Sequence, residues 1–161
     1  HSADVVVGNL GSELRFDYTL SGDGVNLCSR LESLTKYYGV GIITSEDLAG
    51  ALSDDFRLRP LDTIQVVGKD EPTRILELRG RGSAPAGEDA WLTAYAEAEA
   101  SFRSGAWDRA EAAALECQRL HSRTSKTSSG DGPTQFLLDR IRSLEGRAPS
   151  SWQGTWVFDT K

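Results

Sequence analysis

The stretch 17–30, DYTLSGDGVNLCSR, constrains the fold more than any other, because in it a strand runs directly into a helix. Residues 15–20 alternate polar and apolar side chains and include aromatic ones, a pattern that predicts a strand. A Gly-Asp-Gly run then interrupts the strand, and Asp23 within it is a suitable helix N-cap. Over residues 25–38 the apolar residues recur with helical spacing, which predicts a helix.

The predicted helix has an apolar and a polar face. Its apolar face is made by Leu27, Leu31 and Leu34, with Cys28 and Tyr38 alongside. Such a stripe is typical of a helix that packs one side against a core.

The polar face carries the residues most suggestive of a site. Asn26, Arg30, Ser33 and Tyr37 follow one another at helical spacing and therefore share one side. An amide and a guanidinium one turn apart, just beyond a strand-to-helix corner, are placed to bind an anionic substrate. Taken alone, the same pair also fits an ordinary solvated helix face, so both interpretations stay open on this spacing.

The order of the whole stretch resembles a known signature. Tyr18-Thr19, Gly22-Asp23, Val25-Asn26-Leu27 and Arg30-Leu31-Glu32 follow one another as in the catalytic domain of class III adenylate/guanylate cyclases. The upstream run at residues 5–12, VVVGNLGS, is similar to that family as well. The resemblance covers roughly residues 1–80, and its spacing is specific.

The resemblance implies a reaction and roles for three residues. The family converts a nucleoside triphosphate to a cyclic nucleotide and pyrophosphate, a phosphoryl transfer that depends on positioning, metal ions and charge stabilisation. Arg30 matches the arginine that stabilises the transition state, and Asn26 matches the residue that orients the ribose. Thr19 matches the position that contacts the base. At this position, family members that use ATP have Asp or Thr, and those that use GTP usually have Cys or Ser. ATP is therefore the expected substrate, and guanylate cyclase activity is the alternative.

Other parts of the implied site depart from the family pattern. Lys69 lies in a turn that resembles the family's phosphate-binding Val-Lys-Gly-Lys, but Val67 occupies the position of its first lysine. Lys69 is thus a candidate phosphate ligand beside the alternative of a solvated turn lysine. The cofactor implied is Mg²⁺ or Mn²⁺, held in the family by two aspartates for which this chain has no match, since Asp4, Asp17 and Asp23 occupy other positions. Asp23 is better explained as a cap.

The family forms its active site between protomers, with metal carboxylates from one and Asn/Arg from the other. The resemblance therefore implies a homodimer, with Asn26 and Arg30 acting on ATP held by a partner, and an upstream sensor domain in the parent protein. The chain begins with His1 and enters an existing strand, so we interpret it as a fragment that is inactive by itself.

The remaining pattern of the first half fits an α+β fold. A strand at residues 2–8, a turn at 8–12, a strand at 40–43 and a helix at 46–52 capped by Ser45 are predicted. A second hairpin pairs residues 56–67 with 73–78 across a turn containing Pro72. This alternation matches the C-terminal part of a ferredoxin-like βαββαβ core.

The second half is predicted to be helical. Residues 81–87 form a Gly/Ser/Pro-rich linker between a partial cyclase domain at 1–80 and a helical extension at 88–161. Helices at 88–103 and 107–120 resemble one tetratricopeptide-like hairpin. A loop at 121–133 and a third helix at 134–144 follow, and the Trp152/Trp156 tail resembles one found in some sensor-fused bacterial cyclases.

Composition limits partners and compartment. The formal net charge is −6, with 18 basic and 24 acidic residues, so the chain lacks the basic excess that binds nucleic acid. Two isolated cysteines, Cys28 and Cys117, indicate reduced thiols and a cytoplasmic location rather than disulfides or zinc. A membrane anchor elsewhere in the parent, with this domain on the cytoplasmic side, is compatible with this assignment.

Two alternatives to an active cyclase remain on sequence grounds. One is a helical interaction module with a degenerate cyclase portion, which Val67 favours. The other is a nucleotide-binding regulatory domain without turnover. The intact set of Thr19, Asn26 and Arg30 argues for catalysis, because a chain released from catalysis has no physical need to retain it.

Overall fold

The computed structural model describes residues 1–12, 15–66, 71–125, 130–144 and 152–158. Within these ranges it has five helices and six strands, so the α+β class is confirmed. In chain order the elements are β1 (Val6–Ser12), β2 (Arg15–Ser21), α1 (Asp23–Tyr38), β3 (Ile43–Ser45), α2 (Glu46–Ala49), β4 (Phe56–Val66), β5 (Thr73–Arg81), α3 (Glu88–Arg103), α4 (Trp107–Thr124), α5 (Gly132–Ser143) and β6 (Trp156–Phe158).

β1 and β2 form an antiparallel hairpin that stands apart from the second sheet. Its register runs from Val6 opposite Ser21 to Ser12 opposite Arg15. The strand predicted at 2–8 is confirmed only over residues 6–8, and the turn predicted at 8–12 was wrong, because residues 8–12 continue the strand. Alternation by itself did not reveal that β2 is long enough to pair with the whole of this segment.

Helix α1 begins one residue after the corner and ends as predicted. Gly22, not Asp23, is the N-cap residue, with φ 142° and ψ 165°, and Asp23 is the first helical residue. The backbone N–H groups of Val25 and Asn26 donate to the Gly22 carbonyl at 3.1 and 3.2 Å. A left-handed Gly39, with φ 64°, terminates the helix and confirms the predicted C-terminal stop.

The predicted apolar face of α1 is confirmed with one exception. Leu27, Leu31, Leu34 and Tyr38 are buried, whereas Cys28 is exposed. Cys28 follows Leu27 by about 100° around the helix, which turns its side chain away from the core.

Short elements after α1 differ in their bounds from the predictions. The strand predicted at 40–43 is β3, Ile43–Ser45, and α2 ends at Ala49 rather than at residue 52. Ser45 occupies the predicted N-cap position of α2, but its side chain makes no capping hydrogen bond.

The second sheet has the order β3-β5-β4-β6. β4 and β5 form the predicted antiparallel hairpin, with register shifts between Arg57 and Leu58 and between Pro60 and Asp62. Pro60 lacks the N–H that a regular ladder needs, which accounts for the second shift. β5 continues to Arg81, at the start of the predicted linker, while the division of the chain into domains stays a prediction.

The C-terminal part is helical as predicted, with longer second and third helices. α3 has the predicted bounds, and α4 runs four residues past residue 120. α5 starts at Gly132 instead of Thr134 because the Asp131 carboxylate accepts a hydrogen bond from the Thr134 N–H at 3.1 Å and caps the helix. The tetratricopeptide-like character of the α3–α4 pair stays a prediction.

The C-terminal tail contributes the Trp152 side chain to the packing of the helices and strand β6 to the second sheet. Trp152 lies against the rings of Phe102 and Trp107, with centroid distances of 5.1 and 5.7 Å, and its indole N–H donates to the Arg103 carbonyl at 3.1 Å. Trp156 begins β6, which pairs in parallel with β4.

Two larger hydrophobic clusters organise the fold. The first joins α1 to the second sheet, and its buried members are Leu27, Leu31, Leu34, Tyr38, Ile43, Leu61, Ile64, Ile75 and Phe158. The second lies among α3, α4 and α5. Trp156 packs against both. In the described part of the chain, no helix combines the length and apolarity needed to cross a membrane.

Candidate functional site

The candidate site is built on the corner between β2 and α1. Gly22 allows the corner because its φ of 142° lies in a region that residues with a Cβ rarely adopt. The strand therefore ends and the helix begins within two residues, which fixes the first turn of α1 next to the end of β2. The corner is confirmed as the sequence predicts it, apart from the identity of the capping residue.

Asn26 and Arg30 lie on one flank of α1, beside its buried face. Asn26 is exposed, and Arg30, one turn further along, is half-buried. A rise of 1.5 Å per residue separates their Cα atoms by about 6 Å along the helix axis. Because the four core-facing residues of α1 are buried, these two polar side chains are presented together.

Thr19 lies on the hairpin, three residues before the corner. It is exposed and stands opposite Gly8 in the β1–β2 register. The structure thus places Thr19, Asn26 and Arg30 on consecutive elements, β2 and α1, that contact each other. Lys69 and Val67 lie outside the described residues, so the predicted phosphate contact stays a prediction.

The residues of this site do not provide an evident metal centre. Among the described residues, no group of three or more His, Cys, Asp or Glu side chains could hold a metal ion. Asp17, on β2, and Asp23, the first residue of α1, are both exposed. The donor set in the described part of the chain therefore does not fit Mg²⁺ or Mn²⁺, which prefer several oxygen ligands.

A cavity of about 390 Å³ lies elsewhere, between β4 and α3. Its lining includes Leu58, Pro60, Leu92 and Thr93, and none of the three candidate residues. The candidate site is thus an exposed surface rather than this cavity.

Sequence patterns missed two clusters of buried charges that join the second sheet to α1 and α5. The Arg59 cluster consists of Arg59, Glu77 and Asp131, in which the Arg59 Nε donates to Glu77 at 2.7 Å and its Nη1 donates to Asp131 at 2.8 Å. The Asp62 cluster consists of Tyr38, Asp62 and Arg140, in which the Tyr38 hydroxyl donates to the Asp62 carboxylate at 2.8 Å and Arg140 contacts the same oxygen.

Burial and a neighbouring carboxylate keep the Tyr38 hydroxyl of the Asp62 cluster protonated. Burial, and next the neighbouring Asp62 carboxylate, raise the pKa of Tyr38 well above its usual value. Tyr38 is therefore a neutral hydrogen-bond donor throughout the physiological range. Asp62 and Arg140 are only 4% exposed, so this ion pair is buried together with the phenol.

A third ionic contact joins the second sheet to the start of α3. Glu88, the first residue of α3, contacts Arg57 and accepts a hydrogen bond from the Arg79 Nε at 3.0 Å. The signal for these contacts was present in the sequence as arginines within strands, but periodicity assigns such residues to solvent.

Comparison with known proteins supports the cyclase resemblance over part of the chain. No protein-family model matches. The chain is 43% identical over 82 residues to an adenylate cyclase of Anabaena cylindrica, 36% identical over 80 residues to adenylate cyclase 1 of Rhizobium meliloti, and 35% identical over 81 residues to a terminal-differentiation-specific adenylate cyclase of Dictyostelium discoideum.

These matches cover 49%, 50% and 48% of this chain, respectively. They cover only 16%, 12% and 4% of the three relatives, so the chain spans less than a fifth of the length of each. Over about half of its length, the chain is therefore related to proteins named adenylate cyclase.

Proposed function

We propose that this chain is part of an adenylate cyclase that acts in intracellular signalling and converts ATP to cyclic AMP and pyrophosphate. The observation that carries the proposal is the placement of Asn26 and Arg30 one turn apart on the same flank of α1, directly beyond the Gly22 corner. The relationship to adenylate cyclases from three organisms supports the same assignment.

The reaction requires one bond to form and one to break at the α-phosphorus. The ribose 3′-oxygen attacks, its proton is lost, and the bond to the bridging oxygen of pyrophosphate breaks. Negative charge then increases on the α-phosphoryl oxygens, and the planar, permanently charged guanidinium of Arg30 suits that position. The Asn26 amide holds the ribose, so that the 3′-oxygen is directed at the phosphorus.

Thr19 would contact the base. Its hydroxyl oxygen can accept a hydrogen bond from the adenine amino group. Because the hydroxyl is exposed on the hairpin, it is available to a ligand that lies along β2 and the start of α1. The preference for ATP over GTP rests on this contact.

The site needs more than this chain. We assign Mg²⁺ or Mn²⁺ to carboxylates outside the chain, as the resemblance to the cyclase family implies. The exposed Asn26 and half-buried Arg30 fit a site completed by a second subunit of a homodimer. We extend the same proposal to the C-terminal part of a ferredoxin-like cyclase core at residues 1–80, a cytoplasmic location and an upstream sensor domain in the parent.

The test is cyclic AMP formation by the full-length protein with Mg²⁺ or Mn²⁺ and ATP. Arg30→Ala should lower kcat by about a hundred- to a thousandfold, as for the removal of a preorganised charge-stabilising donor. Arg109→Ala is the matched control, because Arg109 is an exposed helical arginine on α4 that pairs with Glu97. The control should turn over like the wild type.

Two results would contradict this proposal. Wild-type turnover by Arg30→Ala would remove Arg30 from the site. Cyclic AMP synthesis by the purified 161-residue chain would show that the metal ligands lie within it.

A degenerate cyclase-like domain that binds nucleotide without turnover is the second candidate, and Val67 supports the degeneracy, because a lysine stands there in the family's turn. Thermal shift of the full-length protein with a non-cyclisable ATP analogue and Mn²⁺ separates the two. Binding without any cyclic AMP formation would select the second candidate, and formation of cyclic AMP would exclude it.

A further inference from the structure

The end of α1 that is remote from Asn26 is held by the C-terminal helical region. The Tyr38 hydroxyl, on the last residue of α1, donates to the Asp62 Oδ2 at 2.8 Å. Arg140 of α5 contacts the same oxygen through its Nη1. The other carboxylate oxygen of Asp62 accepts from the Thr63 N–H at 2.8 Å. One carboxylate on β4 therefore connects α1 to α5.

The connection is largely shielded from water, because Asp62 and Arg140 are only 4% exposed. Tyr38 is fully buried, and the Arg140 guanidinium lies 4.8, 4.7 and 5.0 Å from the ring centroids of Phe102, Phe136 and Trp156. In such a low-dielectric setting a charge-assisted hydrogen bond is directional and costly to break. The Asp62 cluster thus fixes a geometry rather than merely adding packing area.

Backbone packing reinforces the same junction. A Cβ atom placed on Gly132, at the start of α5, would lie only 2.3 Å from the Tyr38 carbonyl oxygen. The first turn of α5 therefore lies directly on the last turn of α1. The Tyr38 ring also meets the Phe136 ring edge to face, with centroids 5.0 Å apart.

A helix transmits this constraint to the candidate site. Tyr38 follows Arg30 by two turns and Asn26 by three, which corresponds to about 12 and 18 Å along the axis. A tilt permitted at Tyr38 would displace both side chains together. Misplacement of a catalytic group by about 1 Å can lower a rate by about a hundredfold.

We propose that Tyr38, Asp62 and Arg140 are positioning residues, which set the orientation of α1 and hence the placement of Asn26 and Arg30 on the nucleotide. The helical region then contributes to catalysis by orienting α1. This inference rests on the function proposed above for the role of Asn26 and Arg30. The mechanical link between α5 and α1 does not depend on that function.

The test compares two tyrosine variants of the full-length protein. Tyr38→Phe removes the hydroxyl and keeps the ring. Tyr95→Phe is the matched control, because Tyr95 is also buried at 1% exposure and its hydroxyl donates to the Leu61 carbonyl on β4 rather than joining α1 to α5. Tyr38→Phe should lower kcat for cyclic AMP formation by about ten- to a hundredfold while KM for ATP stays the same. Tyr95→Phe should leave kcat unchanged.

A purely stabilising role predicts a different result. Both variants would then lower the unfolding temperature, and both would retain wild-type kcat at a temperature well below unfolding. That outcome, or an equal loss of kcat in the two variants, would overturn the positioning role.

Amide hydrogen exchange gives a readout that does not depend on turnover. In Tyr38→Phe, exchange over α1 should accelerate relative to α4, and in Tyr95→Phe it should not. If the full-length wild type makes no cyclic AMP, the proposed function fails and exchange alone decides the mechanical link. Unchanged protection of α1 in Tyr38→Phe would then overturn the inference.

Discussion

The Nη1 of Arg59 lies 2.8 Å from both carboxylate oxygens of Asp131, although 72 residues separate the two in the chain. Arg59 belongs to β4, and Asp131 caps α5. The same guanidinium donates through its Nε to Glu77 on the neighbouring strand. A buried cation therefore fastens the helical region to the second sheet.

Removal of this cation should be strongly destabilising. Arg59→Met keeps the aliphatic part of the side chain but leaves Asp131 buried without its cationic partner and leaves Glu77 with Arg79 alone. Breaking a buried ion pair from one side costs about 3–5 kcal/mol, and we expect a loss of that order in the free energy of unfolding, measured by urea denaturation of the 161-residue chain.

An exposed pair supplies the control for Arg59. The side chains of Arg109 and Glu97 are 71% and 49% exposed, so Arg109→Met should change the free energy of unfolding by less than about 1 kcal/mol. If the two arginine variants lost equal stability, the buried cluster would not be holding the fold.

The helical segments were predictable because their ends carry local signals. α3 begins after the left-handed Gly87 and ends before Ser104-Gly105, and its bounds match the prediction. The start of α5 was missed because a Pro next to a Gly indicates a loop, although Asp131 caps the helix and Pro133 is tolerated in its first turn.

The buried ion pairs and strand β6 could not be predicted from sequence patterns, because both depend on contacts between distant parts of the chain. Arg59 and Asp131, or Asp62 and Arg140, meet only after distant elements pack, and no local spacing identifies such partners. β6 has three residues, too few for periodicity to indicate a strand, and its pairing with β4 is set by tertiary packing.

The candidate site was predictable to the extent that it is local. Asn26 and Arg30 share one face because helical spacing alone requires it, and Thr19 precedes them on the adjoining strand. The metal ligands and the second subunit that we propose for the site cannot be identified from these spacings. The role of Lys69 also stays a prediction.

Close backbone packing between α1 and α5 should be sensitive to a single methyl group. In Gly132→Ala the new Cβ would lie 2.3 Å from the Tyr38 carbonyl oxygen, and neither atom belongs to a flexible side chain. We expect the free energy of unfolding to fall by about 1–3 kcal/mol, as for other overpacked sites. Chemical denaturation measures this change.

Gly130 is the matched control for Gly132. A Cβ atom at Gly130 would meet nothing within 4 Å, so Gly130→Ala should change stability by no more than about 0.5 kcal/mol. A neutral Gly132→Ala would mean that the helices can separate without loss.

The hydroxyl of Thr19 should contribute to the use of ATP. Thr19→Val keeps the shape and the β-branch of the side chain but removes the hydrogen bond proposed to the adenine amino group. A net hydrogen bond is worth about 0.5–1.5 kcal/mol, so kcat/KM for ATP in the full-length protein should fall by about two- to thirteenfold.

Thr93→Val controls for the Thr19 substitution, because Thr93 is exposed on α3 and its hydroxyl donates to the Asp89 carbonyl. The control should retain the wild-type kcat/KM. If the ratio of kcat/KM for ATP to that for GTP were unchanged in Thr19→Val, Thr19 would not take part in base recognition.

The two cysteines should differ in reactivity and in their effect on alkaline stability. Cys28 is exposed on α1, whereas Cys117 is buried on α4, with its Sγ 3.2 Å from the Thr134 hydroxyl. Burial raises the pKa of Cys117 to about 11. Iodoacetamide at pH 8 should therefore alkylate Cys28 in the folded chain and spare Cys117, as peptide mass spectrometry would show.

The sign of the pH effect follows from the raised pKa of Cys117. Between pH about 9 and about 11 the unfolded chain has lost the thiol proton and the folded chain retains it, so the stability that this thiol contributes is complete below about 9 and declines above it. Across this window the wild type should lose on the order of 2 kcal/mol more than Cys117→Ala. Tyrosines titrate in both proteins, so their contribution cancels in the difference. Parallel stability curves for the two proteins would show that the Cys117 thiol ionises as readily in the folded chain as in the unfolded one.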